Sequence, residues 1–105
     1  MPISERTATR LVLKSGSTTL TLDKDKGSAT MQRKVLILSL KPIELPLTEF
    51  VSVTVDAAVD RASGVEVCHT MLVTRAGVGW ALPGADKQEA QTNAAAIRDF
   101  LGLVA

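Results

Sequence analysis

Apolar and polar residues alternate along most of the chain, and this alternation predicts a series of short β-strands. The first two candidates are residues 10–14 and 18–23, which are separated by a turn at residues 15–17. A second turn follows at residues 24–27, where Gly27 can adopt the positive φ that a tight hairpin needs. Alternation then resumes, so the first part of the chain predicts a meander of half-buried strands.

The middle of the chain changes pattern. Residues 35–40 are strongly apolar, which is compatible with a helix or with a strand buried on both faces. We favour the strand, because the segment is short and rich in Val, Leu and Ile, and because Pro42 follows closely. Alternation over residues 43–47 includes Pro46. A second proline excludes a central strand, so this stretch is predicted to be an edge or irregular extended segment.

Two longer strands are predicted next, at residues 51–59 and 65–74, with a turn at 60–64 between them and a last short strand at 79–82. The second long strand has two different faces. One face carries Val65, Val67, His69, Met71 and Val73, and the other carries Glu66, Cys68, Thr70, Leu72 and Thr74. Leu72 is therefore the apolar residue of an otherwise polar face.

The pattern becomes helical near the C-terminus. Asp86, with Glu89 three residues later, is typical of an N-cap and its capping box. The apolar side chains that follow have helical spacing, and Gly102 can supply the left-handed residue that ends a helix. The predicted apolar stripe contains Ala94, Ile97, Phe100 and Leu101.

Strands followed by a single helix predict a mainly β protein of the α+β class. Parallel βαβ units are excluded, because no connection between strands has room for a helix. Residues 1–9 show no apolar period and are predicted to form a loose N-terminal arm, with a short strand beginning at its end as an open alternative. Residues 10–105 are predicted to form a single domain.

The sequence phrases together resemble small bacterial domains with a pleckstrin-homology-like barrel, from about residue 10 to residue 103. The phrases that carry the resemblance are Thr19-Leu20-Thr21-Leu22-Asp23 with Gly27, Leu45-Pro46-Leu47-Thr48-Glu49-Phe50-Val51-Ser52-Val53, Met71-Leu72-Val73-Thr74, Trp80-Ala81-Leu82-Pro83-Gly84, and the segment from Glu89 to Gly102.

This resemblance implies a split, bent antiparallel β-barrel of about seven strands with one C-terminal capping helix. It implies no catalytic residues. The chain departs from the lipid-binding members in two respects. Its first hairpin has only Lys14 nearby, without paired basic residues, and its helix carries Phe100 where those members have a tryptophan, while Trp80 precedes the helix. Both departures argue against binding of a phosphoinositide headgroup.

Composition narrows the classes of protein further. The chain has 105 residues, a net charge of +1 and one cysteine, so an internal disulfide is excluded. No apolar run is long enough for a membrane span, and the first residues lack the apolar core of a secretory signal. A single thiol is typical of a reducing compartment, so a cytoplasmic protein is expected.

Candidate chemistry is sparse. Cys68 and His69 are adjacent, and neighbouring residues of a strand point to opposite faces, so they are not expected to pair as nucleophile and base. No spacing of ligands suits a metal site. Gly77-Val78-Gly79 precedes a strand, whereas a phosphate loop needs a helix behind it. We therefore expect no catalytic, cofactor or metal residues and a protein that is not an enzyme.

Charge is the feature that suggests binding. Residues 1–41 carry a net charge of +5, and residues 42–105 carry −4. The basic residues proposed to contact an anion or a partner are Lys24, Lys26, Arg33, Lys34 and Lys41. The sequence thus predicts a protein-interaction or regulatory module, with an unknown protein or a second copy as partner. The alternative is a peripheral binder of anionic lipid surfaces.

Two further expectations concern partners. Nucleic acid is not expected, because the chain has only three aromatic residues for a stacking platform. If the protein is a homodimer, its contact is predicted at residues 65–74 or at the neighbouring apolar surface, since that strand lacks proline and carries Leu72 on its polar face.

Overall fold

A computed structural model describes residues 3–35, 38–39, 41–59 and 61–103 of the protein. Most of these residues lie in strands, which form two antiparallel sheets, and one α-helix follows the last strand. This confirms the predicted mainly β class with a C-terminal helix. The chain divides into two compact units, one that ends at Glu49 and one that begins at Phe50.

The first unit contains one sheet with the strand order β1-β2-β3-β4, in which β5 and β6 both pair with β4. A short 3-10 turn at Leu47–Glu49 follows the sheet. The strands are β1 (Ile3–Arg6), β2 (Arg10–Ser15), β3 (Thr18–Asp23), β4 (Ser28–Val35), β5 (Leu38–Ser39) and β6 (Ile43–Pro46).

Leucines of β2 and β3 lie on the same face of this sheet because of the strand register. Leu13 is opposite Leu20, which in turn is opposite Met31 of β4. All three side chains are buried, as are Leu11 and Leu22 in the neighbouring row. The alternation of the sequence therefore translates directly into one buried face and one polar, half-buried face.

The turn between β3 and β4 has a local polar design. The carboxylate of Asp23 accepts hydrogen bonds from the backbone N–H groups of Asp25 and Lys26. Gly27 adopts a φ of 67°, a conformation that side chains disfavour. The predicted hairpin at residues 24–27 is confirmed.

The second unit is a three-stranded sheet covered by the helix. Its strands are ordered β7-β8-β9, and the helix α1 contacts β7 and β8. The elements are β7 (Phe50–Val59), β8 (Glu66–Thr74), β9 (Gly79–Ala81) and α1 (Lys87–Leu101).

The helix begins and ends as predicted. The carboxylate of Asp86 accepts a hydrogen bond of 2.8 Å from the backbone N–H of Glu89. Gly102 ends the helix in the left-handed region at a φ of 71°, and the N–H of Leu103 returns to the carbonyl of Arg98. Within the predicted stripe, Ala94, Ile97 and Phe100 are buried, and Leu101 is half-buried.

The helix covers the polar-looking face of β8, not the valine face. Cys68, Thr70, Leu72 and Thr74 are buried, whereas Val67, His69, Met71 and Val73 are only half-buried. The hydroxyl of Thr70 donates a 3.0 Å hydrogen bond to the carbonyl of Ala90 in α1. Because this bond replaces the one to water, a threonine is tolerated inside the interface.

Two predictions of local structure are wrong. Residues 3–6 of the expected loose arm form β1, in which Arg6 pairs with Leu11 of β2. The strand expected at residues 35–40 is not continuous, because Leu38 pairs back with Val35. Burial on both faces was also expected there, but Leu36, Ile37 and Leu40 lie outside the described residues.

The remaining strand predictions are confirmed. Residues 43–46 form a strand that pairs with β4, consistent with the edge position expected from Pro42 and Pro46. Over the described residues, the strand pairings form two separate sheets and close no barrel. The split barrel and the assignment of residues 10–105 to one domain stay predictions.

Candidate interaction surfaces

The structure separates the predicted basic residues into two groups. Lys24 and Lys26 lie in the turn that precedes β4, whereas Arg33 and Lys34 lie near the other end of that strand. Ser28 and Lys34 are about 20 Å apart along the chain at the usual rise of a strand. The predicted contact residues are therefore divided between the two ends of β4, and their contact with an anion or a partner stays a prediction.

The group in the turn is locally balanced by acids. Lys24 and Lys26 alternate with Asp23 and Asp25. Opposite charges in such proximity reduce the field that an anionic partner would experience. We therefore do not regard this turn as an anion site.

The second group has a different charge balance. Arg33 pairs with Thr18, and Lys34 bonds through its backbone N–H to Ser17, so both lie beside the turn between β2 and β3. Lys14 pairs with Thr19 next to that turn. We call Lys14, Arg33, Lys34 and Lys41 the basic end of the first sheet.

Lys41 belongs to the basic end because it precedes Ile43, which pairs with Met31 of β4. No acidic residue occurs at sequence positions 11–22 or 29–43. Lys14 was not among the predicted contact residues, although the hairpin register would have revealed it. Arg33 lies on the opposite face of the sheet from Lys14 and Lys34, so the four side chains do not converge on one point.

The second unit has an open sheet edge along β7. Along β8, the backbone N–H and C=O groups of successive residues point alternately to the two edges of the strand. Those of Cys68 and Thr70 bond to the segment that continues β9. Since successive residues point to opposite edges, the backbone of His69 points towards β7 and meets its partner Asp56. Both edges of β8 are therefore paired, so docking of a partner on residues 65–74 by strand pairing is excluded, whereas docking there by side-chain packing stays a prediction.

The same alternation directs the backbone N–H and C=O groups of Val55, Ala57 and Val59 away from β8. The carbonyl of Val53 has this outward direction and accepts a 2.9 Å hydrogen bond from Nε of Arg98. Beyond Val53, β7 has only β8 as a strand partner among the described residues. We call residues 55–59 the open edge.

The features that protect the outer edge of β7 are confined to the start of the strand and do not extend to residues 55–59. The start of β7 has an irregular register between Phe50 and Ser52, and Arg98 bonds to Val53. After Val55 the residues of β7 are exposed, and Val59 reaches an exposed fraction of 63%. Val65, across the turn, is 58% exposed. Bulges, prolines and lysines commonly block edge strands, and residues 55–59 contain no lysine or proline.

Cys68 and His69 lie on opposite faces, as predicted. The thiol is buried, with its Sγ 3.8 Å from a carboxylate oxygen of Glu66. Burial, together with the negative charge of Glu66, raises the pKa of the Cys68 thiol above its ordinary value. The ring of His69 places Nδ1 3.1 Å from the carbonyl oxygen of Leu82. A thiol whose pKa is raised is a poor nucleophile, because the thiolate is the reactive form.

The segment after β9 approaches β8 closely. Cys68 and Ala85 exchange backbone hydrogen bonds, which extends the ladder beyond β9. A side chain at Gly84 would collide with Val67 and press on His69. Glycine at this position therefore permits the close approach of this segment to β8.

Three negative findings complete the description of the sites. The described part of the chain contains no cluster of three or more side chains that could ligate a metal. Its single α-helix is too short and too polar to cross a bilayer. Comparison of the chain with protein-family models, curated proteins and solved structures finds no match.

Proposed function

We propose that the protein works by binding another protein chain and not by catalysis, and that the partner adds an extended segment to the open edge of β7. The observation that carries this proposal is the outward direction of the backbone groups of Val55, Ala57 and Val59 on exposed strand. Strand addition satisfies such groups with main-chain hydrogen bonds.

The neighbouring side chains support the proposal. Val55, Ala57 and Val59 share the sheet face that α1 covers further along the strand, because they alternate with Val53. A partner strand would bring side chains beside Val59 and remove its apolar surface from water. A free, buried cysteine is in keeping with the expected cytoplasmic location.

The proposed architecture remains a split, pleckstrin-homology-like barrel. The order of two antiparallel sheets followed by one C-terminal helix supports it. In that architecture, the open edge belongs to the second sheet, beside the helix.

Photocrosslinking tests the proposed binding site. A photoreactive amino acid in place of Val59 should crosslink to a protein partner in an extract of the cells that make the protein. The same amino acid in place of Val78 is the matched control, since Val78 is 55% exposed and lies outside the open edge. Equal crosslinking from both positions would contradict the proposal.

A proline variant makes this test specific for strand addition. Ala57→Pro removes an N–H that points outward, so the bonds to β8 are retained while the partner loses a donor. Ala81→Pro is the control, because Ala81 is also exposed and its backbone points away from β8 in β9. We expect Ala57→Pro, and not Ala81→Pro, to abolish the crosslink from position 59.

The second candidate function is binding of an anionic surface by the basic end. It is favoured by the grouping of Lys14 and Lys34 on one face of the sheet, with no acidic residue at sequence positions 11–22 or 29–43. Vesicles with anionic lipid should retain the protein at low salt, and Lys14→Gln with Lys34→Gln should release it. Lys24→Gln with Lys26→Gln is the charge-matched control and should have no effect. Retention that is unchanged by the first pair would exclude this function.

A further inference from the structure

We infer that the partner at the open edge is a second copy of this chain, paired antiparallel through β7 about a two-fold axis at Ala57. This inference rests on the proposed function, since it names the occupant of the same edge. The residues 55–59 read Val-Asp-Ala-Ala-Val, so a valine stands at equal distance on either side of Ala57. In a two-fold antiparallel pair, residue i of one copy lies opposite residue j of the other and the reverse, so an axis at Ala57 places these two valines opposite each other.

Charge and hydrogen bonding exclude the neighbouring registers. An axis at Asp56 would place two carboxylates directly opposite each other, which destabilises a strand pair. An axis at Val55 would oppose Ala57 to Val53, whose carbonyl already accepts the bond from Arg98. An axis at Ala58 would leave Val55 without a strand partner, because β7 ends at Val59.

The axis at Ala57 has none of these conflicts. Val55 lies opposite Val59 of the second copy, and the reverse pair forms on the other side of the axis. All the outward N–H and C=O groups of Val55, Ala57 and Val59 then find partners. Cross-strand valine pairs are favourable, and they cover the most exposed large apolar side chain among the described residues.

The side chains on the other face of the paired β7 strands provide a test of the register. In this register Asp56 lies opposite Ala58 of the second copy, and both side chains are exposed in the single chain. A charge at position 58 therefore reports on the register without disturbing buried residues. The closed two-fold pairing also consumes the open edge of both copies, so it yields a dimer and not a filament.

Sedimentation of the purified full chain, from low to high micromolar concentration, tests the inference. Wild type should dimerise, and Ala58→Asp should raise the dimer dissociation constant roughly tenfold, because two like-charged pairs form. Ala58→Lys should lower the constant, and high salt should remove this gain. Asp56→Lys combined with Ala58→Asp should restore dimerisation.

The same charges on an exposed residue outside β7 provide the matched controls. Ala81→Asp and Ala81→Lys place the same charges on the exposed alanine of β9 and should leave the constant unchanged. A dimer that is insensitive to the sign of the charge at position 58 would overturn the register. A wild-type monomer at every concentration would overturn the second-copy inference.

The crosslinking experiment separates this failure from failure of the proposed function. If the purified chain is monomeric while position 59 crosslinks to a different protein in extract, the inference falls and strand addition stands. If the photoreactive residue at position 59 crosslinks neither to a second copy of the chain nor to another protein, both the inference and the proposed function are wrong.

Discussion

The two halves of β7 differ in how their edge is protected. In the first half, Phe50 packs edge to face on Trp80 with ring centroids 5.1 Å apart, and Val53 is buried and bonded through its carbonyl to Arg98. In the second half, the backbone of Ala57 points outward and Val59 is exposed. A single strand thus contributes to the core at one end, and at the other its outward backbone groups have no strand partner among the described residues.

This difference indicates which half of β7 can bind another chain. Side-chain packing and a charged bond from the helix make the first half unavailable to another chain. The second half still pairs with β8, but its residues 56–59 are exposed and no other described strand covers its outer edge, so this edge is available to another chain.

Phe50→Ala should produce the largest loss of stability. The ring is buried and packs edge to face on Trp80, so we expect the free energy of unfolding to fall by about 3–5 kcal/mol. Val51→Ala is the adjacent control; this side chain is 44% exposed and its loss should cost about 0.5 kcal/mol or less. Urea denaturation measures both, and similar losses would contradict the assignment of Phe50 to the core.

Arg98→Met should cost about 1–3 kcal/mol, because the carbonyl of Val53 loses its donor in a partly buried site. Methionine keeps much of the apolar stem of arginine, so packing is largely retained. Arg61→Met, in an exposed turn, is the control and should leave urea denaturation unchanged. If Arg98→Met were equally silent, the bond would not protect the edge.

Proline substitutions at positions 57 and 58 should distinguish the N–H groups of β7 that point outward from those that bond to β8. Ala58→Pro removes an N–H that faces β8 and should cost about 1 kcal/mol or more in thermal or urea unfolding. Ala57→Pro should cost less, because its N–H faces outward. The reverse ranking would show that the deduced backbone directions are wrong.

Hydrogen exchange of the wild-type protein should show the same alternation between outward and inward amides along residues 55–59, so that no mutation is needed. In dilute protein, the amides of Val55, Ala57 and Val59 should exchange faster than those of Asp56 and Ala58, which bond to β8. At concentrations that favour the dimer, the fast amides should become protected. Uniform exchange along β7 would contradict the open edge.

Several features could be predicted from the sequence because they depend on neighbouring residues. The hairpin turn at Gly27 needs a positive φ, and the helix limits at Asp86 and Gly102 depend on local hydrogen bonds. The basic end is an intermediate case. Its charges are visible in the sequence, but Lys14 joins them only through the strand register.

Other features were decided by tertiary structure. Alternation places Leu72 and Met71 on opposite faces of β8, but it does not say which face meets the helix, and the helix covers Leu72. Strand patterns likewise contain no information on neighbours, so only the fold shows that β8 is central and β7 is open. The sequence alone determined strands, turns and helix ends, because these are short-range properties of the backbone. The choice of buried face and free edge required contacts between residues that are distant in sequence.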